Sequence, residues 1–101
     1  MKDILNESIK LWAKERDLHK ADPHKQFLKL TEEVGELAQA LAKNKPLENI
    51  KEEIGGIYVS LTILAMQLKL DVKECARYEY DKIVHRKGKM VNGIYVKEED
   101  L

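Results

Sequence analysis

A chain of 101 residues has room for one hydrophobic core and not for two. Its eighteen basic residues balance eighteen acidic ones, and zero formal charge argues against a generic binder of nucleic-acid polymers, which carries a basic excess. Cys75 is the only cysteine, which excludes an internal disulfide and makes a reducing, cytoplasmic setting the default expectation.

Residues 1–10 mix charges with apolar residues and show no signal-peptide core. Ile4, Leu5, Ser8, Ile9, Leu11 and Trp12 follow helical spacing and predict a first helix from Asp3 to about Leu18. Asp22 before Pro23 reads as an N-cap followed by proline at the first helical position. The second helix is expected from Pro23 to about Lys43, with a seam of Phe27, Leu30, Val34, Leu37 and Leu41. Asn44-Lys45-Pro46 breaks it, and Pro46 opens a third segment. There Ile50, Ile54, Ile57, Leu61, Leu64 and Leu68 keep helical spacing, but Gly55 and Gly56 each cost about 1 kcal/mol inside a helix. A buried strand through Ile57-Tyr58-Val59 after a Gly-Gly turn therefore competes, although length and the sustained seam favour helix. The apolar run of residues 54–70 is interrupted by Ser60, Thr62, Gln67 and Lys69, too short and polar to span a bilayer.

Asp71 with Glu74 resembles a capping box opening a fourth helix to about Arg86. Met90-Val91, Asn92-Gly93 and Ile94-Tyr95-Val96 form a hairpin signal with a type I′ turn, and Lys97 to Leu101 reads as a frayed tail. The expectation is one all-α domain over residues 1–101, a four-helix bundle whose residues 89–101 form a short C-terminal β-hairpin and tail. Seams on every helix of so short a chain predict at least a dimer.

Glu32, Glu33 and Glu36 crowd the second helix, and Glu52 and Glu53 the third. A solvated acidic face is the simplest explanation, but helical geometry separates the two. At about 100° per residue, Glu33 sits about 80° from the centre of its seam, on one flank with Lys29 and Glu36, while Glu32 points away from the core. Glu53 lies about 60° off the third seam in a stripe with Gly56 and Ser60, and Glu52 points outward. Both stripes are displaced in the same rotational sense, so in antiparallel neighbours Glu33, Glu36 and Glu53 converge at one edge. Three carboxylates at close range call for a cation, and all-oxygen donors point to Mg²⁺ or Mn²⁺.

The run Lys29-Leu30-Thr31-Glu32-Glu33-Val34-Gly35-Glu36-Leu37, followed by Glu52-Glu53-Ile54-Gly55-Gly56, resembles the MazG-like nucleotide pyrophosphohydrolases of the all-α NTP pyrophosphatase superfamily. Their signature is ExxE, a spacer, then ExxD. Glu33-Val34-Gly35-Glu36 matches the first half, and Glu53-Ile54-Gly55-Gly56 matches the second except at its end, where Gly56 replaces the metal-binding aspartate. The likeness runs from Trp12 to the Lys82–Lys89 region, and the ending Arg86-Lys87-Gly88-Lys89 with its hairpin looks like short members, some phage-encoded. The resemblance implies Mg²⁺-dependent hydrolysis of a nucleoside triphosphate to the monophosphate and pyrophosphate by a homodimer or homotetramer. It makes Glu33, Glu36 and Glu53 the catalytic and metal-binding residues. The missing aspartate also implies an alternative, a weak or inactive relative that binds nucleotide or metal, and a purely structural helical oligomer is the third reading.

The remaining candidates each carry two readings. Lys82 and Arg86, with Lys87 and Lys89, either grip a triphosphate or complement the fourth helix's dipole. Trp12 either stacks on a base or fills the core. Lys29 either meets phosphate or pairs with Glu33. Glu79 falls on the fourth helix's apolar face and is either a further ligand or a salt-bridge partner. Cys75 is expected to be inert packing, and His19, His24 and His85 show no ligand spacing.

Overall fold

The computed structural model describes residues 3–101; Met1 and Lys2, part of the stretch without a signal-peptide core, lie outside the described residues. Helix α1 spans Ile4–Glu15, capped by Asp3, whose carboxylate accepts from Asn6 N at 3.0 Å. It stops three residues short of the expected Leu18. Asp17 takes φ 58°, a left-handed conformation that aspartate tolerates, and Leu18–Lys20 coil into a single 3₁₀ turn. Helix α2 spans Pro23–Ala42 behind the Asp22 cap, which accepts from His24 N at 2.9 Å. Helix α3 spans Leu47–Gln67 without interruption at Gly55-Gly56, so the competing strand does not form. Twenty-one residues of sustained helical pattern outweigh the cost of two glycines.

Helix α4 spans Val72–Ile83, with Asp71 accepting from Lys73 N at 2.8 Å. It ends before Arg86 because the chain must extend into strand β1, Gly88–Val91. Strand β2, Ile94–Lys97, pairs with it antiparallel, with Val91 opposite Ile94 and Gly88 opposite Lys97. Asn92 and Gly93 have φ 50° and 82°, the double positive that a type I′ turn requires. The expected frayed tail is ordered. Lys97 closes β2, Glu98–Asp100 form a 3₁₀ turn, and Glu98 N donates to Lys87 O at 2.7 Å.

Helices α2 and α3 form the main packing pair and run antiparallel: Gln26 meets Ser60, and two turns on Glu33 meets Gly56. The expected apolar seam of α2 is not the face that packs against α3. The least exposed line of α2 is Gln26, Leu30, Glu33, Leu37 and Ala40, rotated from the seam toward its acidic flank. Phe27, Val34 and Leu41 are consequently exposed, at 56%, 48% and 58%, beside exposed Ile54 and Leu61 of α3. The buried residues are few: Ala13, Ala40, Ile63 and Ala65, with polar Asn6, Ser60 and Thr62.

Helix α1 crosses α3, where buried Asn6 donates to the Tyr58 hydroxyl at 3.0 Å. Two ion pairs tie α1 to the start of α4: Lys10 Nζ to Asp71 at 3.1 Å, and Lys73 to Asp3. Beyond that anchor α4 projects from the body, and the radius of gyration is 16.5 Å against about 13 Å for a compact chain of this length. Among the described residues no single helix is long and apolar enough to cross a membrane.

Candidate active site

The third and fourth turns of α2 and the second and third turns of α3 bring the acidic motifs together. Glu33 faces α3, and a Cβ placed on Gly56 would lie 2.5 Å from its Oε2. The carboxylate thus fills the space that a side chain at position 56 would enter. Among the described residues, Glu33 Oε1 is buried and has no hydrogen-bond partner. One turn along α2, Glu36 stands beside Glu53 of α3. The Glu53 carboxyl is held above the ordinary carboxylate range, first by loss of water, then by the charge and carboxyl of Glu36, and further by the charges of Glu33 and Glu52. Glu32 and Glu52 are both exposed, as their angular positions predict.

Next to Glu33 a cavity of 290 Å³ opens between α1, α2 and α3, walled by Trp12, Gln26, Lys29, Gly56, Val59 and Ile63 among others. Trp12 is half exposed rather than packed in a core, with the Arg16 guanidinium 4.4 Å from its ring centroid. Lys29 is exposed at the same cavity. Ser60 is buried and its hydroxyl accepts from Gln26 Nε2 at 2.9 Å, so it is engaged in packing.

The other basic candidates lie elsewhere in this chain. Lys82 is 3.8 Å from Glu79 and sits over the Tyr78 ring at 5.7 Å. Arg86 lines a separate cavity with Lys87, Lys97, Glu98 and Glu99. Glu79 is exposed, not held in an apolar face, and Lys82 is its partner. Cys75 is also exposed, because no helix covers that side of α4. Gln26 was not foreseen, although it lies one turn before Lys29 and two before Glu33, on the same flank; glutamine simply carries no sequence signal of its own.

Among the described residues no three His, Cys, Asp or Glu side chains close into a finished ligand cage. The donor chemistry nevertheless fits a hard divalent cation. Every donor is a carboxylate oxygen, Glu33 Oε1 has no hydrogen-bond partner among the described residues, and loss of water together with the neighbouring carboxylates raises the proton affinity of Glu53. Glutamates can close on an ion by side-chain rotation alone.

A mostly helical fold with an ExxE motif on one helix facing a second acidic stripe defines a class, and the comparisons agree with it. Residues 22–91 match the MazG nucleotide pyrophosphohydrolase domain, and the chain belongs to that family. It is also similar to an uncharacterized 18.2 kDa protein from the rep-hol intergenic region of Haemophilus phage HP1, at 47% identity over 68 residues. That alignment covers 66% of this chain and 41% of the phage protein, so the chain spans about two fifths of its relative. No solved structure matches it.

Proposed function

We propose that the protein hydrolyses a nucleoside triphosphate to the monophosphate and pyrophosphate with Mg²⁺, or Mn²⁺, held by Glu33, Glu36 and Glu53. The observation that carries this is Glu33 Oε1, a buried carboxylate oxygen with no hydrogen-bond partner among the described residues, which borders a 290 Å³ cavity and belongs to one cluster with Glu36 and Glu53. The bound cation supplies neutralisation of phosphate charge and a more acidic water. The chain's own contributions follow from position. Water attacks the α-phosphorus, pyrophosphate leaves, and a carboxylate of the cluster takes the water's proton. Lys29 meets the phosphates from the α2 wall, and Trp12 stacks against the base from the α1 wall. Lys82 and Arg86 reach phosphate only across an assembly, from a neighbouring copy. Incubating the protein with a nucleotide panel and Mg²⁺ and measuring released pyrophosphate tests the activity; no release with any nucleotide would overturn it.

The assembly has its own support. Phe27, Val34 and Leu41 are exposed beside Ile54 and Leu61, an apolar face on the α2–α3 pair that a second copy would cover as a four-helix core. Light scattering on the wild type is expected to give a dimer or tetramer, and Val34→Glu to shift it toward monomer.

Gly56 favours a second reading, in which the protein binds metal and nucleotide without turning over. The Glu33 carboxylate occupies the ground next to position 56, leaving the site one carboxylate short. Manganese binding by calorimetry without any pyrophosphate release would select it.

A further inference from the structure

Residues 73–95 are exposed without a break, so most of α4 and of the hairpin has no cover from its own chain. The area involved is large. The chain exposes 8155 Å², against about 5,900 Å² for a compact monomer of its mass. One partner's share of a standard interface is about 800 Å², so the surplus has room for more than the α2–α3 face.

Hydrogen bonding within the hairpin shows where it is unfinished. Around a two-residue turn the flanking residues, here Val91 and Ile94, exchange both backbone bonds, and every second pair repeats this. Lys89 with Val96 comes next, and the bond from Glu98 N to Lys87 O at 2.7 Å keeps the same alternation. The backbone N–H and C=O groups of Gly88 and Met90 therefore point to one outer edge, and those of Tyr95 and Lys97 to the other. Among the described residues the sheet has two strands only, so no strand takes up either edge.

The two edges differ. Strand β1 carries Lys89, a charge of the kind that discourages pairing. Strand β2 offers Ile94, Tyr95 and Val96 in succession, and its first charge is Lys97 at the end. Tyr95 is itself held in place: its phenol ring lies across Gly88, where an added Cβ would come 2.6 Å from Oη. This diagonal contact and the Asn92-Gly93 turn fix the hairpin as a unit. A two-stranded sheet is nonetheless marginal until further strands or a helix complete it.

We propose that β2 pairs antiparallel with β2 of a second copy, the two hairpins forming one four-stranded sheet about a two-fold axis at Tyr95. The occupant is a second copy because the edge is its own complement. With Tyr95 opposite the partner's Tyr95, Ile94 faces the partner's Val96, and Lys97 falls opposite the partner's Gly93. Apolar residues meet apolar ones and no like charges oppose. A slip by one residue would turn Tyr95 to the other face, and a slip by two would set Ile94 against the partner's Glu98. The Lys89 edges stay outside, so pairing stops at two hairpins. This contact is separate from the α2–α3 face, and two independent two-fold contacts on one chain build a tetramer.

Val34→Glu, which disrupts the α2–α3 face, isolates the hairpin contact. Light scattering on this variant at micromolar concentration is expected to give a dimer, the shift toward monomer stopping there. Ile94 is 67% exposed and lies opposite Val91 in its own hairpin, so adding Ile94→Lys spares that hairpin and should raise the dimer's Kd at least roughly tenfold. Lys97→Pro is the second variant. Lys97 already holds φ −64°, the angle of proline, and its N–H faces outward, so the hairpin's own ladder is kept while the edge loses a donor. It should weaken the dimer several-fold.

Register is read by cysteine in a Cys75→Ala background. Tyr95→Cys sets two thiols across the axis, with about 5.5 Å between Cα atoms, and should give a disulfide-linked dimer on mild oxidation. Ile94→Cys should not, because its two copies lie more than about 7 Å apart. A monomeric Val34→Glu protein overturns the proposal, as does a dimer that survives both Ile94→Lys and Lys97→Pro, or that cross-links equally at positions 94 and 95. Should Val34→Glu keep the wild-type mass, the α2–α3 reading fails instead. Ile94→Lys in the wild type then decides: a lower mass is expected, and an unchanged one overturns the hairpin contact.

Discussion

Two charged regions of the molecule are built on opposite plans. Where α1 meets α4, each charge has a counter-charge: Lys10 with Asp71, Lys73 with Asp3. Hydrogen bonding from Lys73 holds Asp3 below the ordinary carboxylate range, and the Lys73 backbone N–H and the Lys10 ammonium do the same for Asp71. At the α2–α3 edge, Glu33, Glu36 and Glu53 stand together, none of them in a salt bridge among the described residues, and Glu53 shifts the other way. The first region uses charge to fix one helix against another. The second leaves charge uncompensated, which is tolerable where something cationic is to be bound and wasteful elsewhere.

The comparison breaks most sharply on the glutamates. Glu33→Gln, Glu36→Gln and Glu53→Gln are expected to lower Mn²⁺ affinity by more than the roughly tenfold to hundredfold that an outer-shell contact is worth, measured by calorimetry. Glu32→Gln and Glu52→Gln should leave it near wild type; equal losses at all five positions would show a diffuse acidic surface in place of a site. None of the five should lower the melting temperature of metal-free protein.

Substitution in the paired region should do the reverse. Asp71→Ala removes the α4 cap and the Lys10 pair together, and is expected to cost about 1–2 kcal/mol in urea unfolding with Mn²⁺ affinity unchanged. A loss of metal binding here would mean that the two regions are coupled.

Gly56→Asp sharpens the contrast by adding one more carboxylate to the uncompensated edge. The new Cβ would come within 2.5 Å of Glu33 Oε2, so the flexible end of Glu33 must swing away. Stronger Mn²⁺ binding, several-fold, is expected, together with faster pyrophosphate release if the wild type is a weakened enzyme. Unchanged binding would show that another group already completes the site.

The smallest effect is one of pH on metal-free protein. Glu53 has a folded pKa above its ordinary 4.5, so the folded state binds the proton more tightly than the unfolded one. Its contribution is full below 4.5 and is lost as pH rises through the folded value. Asp3 and Asp71 run opposite: theirs is present above the ordinary 3.8 and lost as pH falls through their lowered values. Glu53→Gln should therefore raise the melting temperature slightly at pH 7, with the gain fading in acid and vanishing when Mg²⁺ is added to the wild type. A gain that persists in acid would assign the effect to packing.

Much of this was legible in one dimension because it depends on local rules. Caps at Asp22 and Asp71, proline at the start of α2 and Asn-Gly in the hairpin act within a few residues of themselves. That Glu33, Glu36 and Glu53 share one side of the α2–α3 pair follows from helical angle plus antiparallel neighbours. Helix ends were less legible. Glu15 and Ile83 end their helices because of what the next residues must do, at Asp17 and at Gly88.

What only the tertiary structure decided is how far each helix is rotated against its neighbour. Periodicity locates an apolar seam, but the packed line of α2 is a choice among adjacent faces that depends on shape across the interface. Turned toward the acidic flank, it carries Glu33 and Gln26 between the helices and leaves Phe27, Val34 and Leu41 outside. Trp12 at the cavity and Cys75 on an open face have the same origin, since burial depends on what lies opposite. The hydrogen bonding of Gln26 to Ser60, thirty-four residues away in sequence, is likewise invisible until α2 and α3 are set side by side.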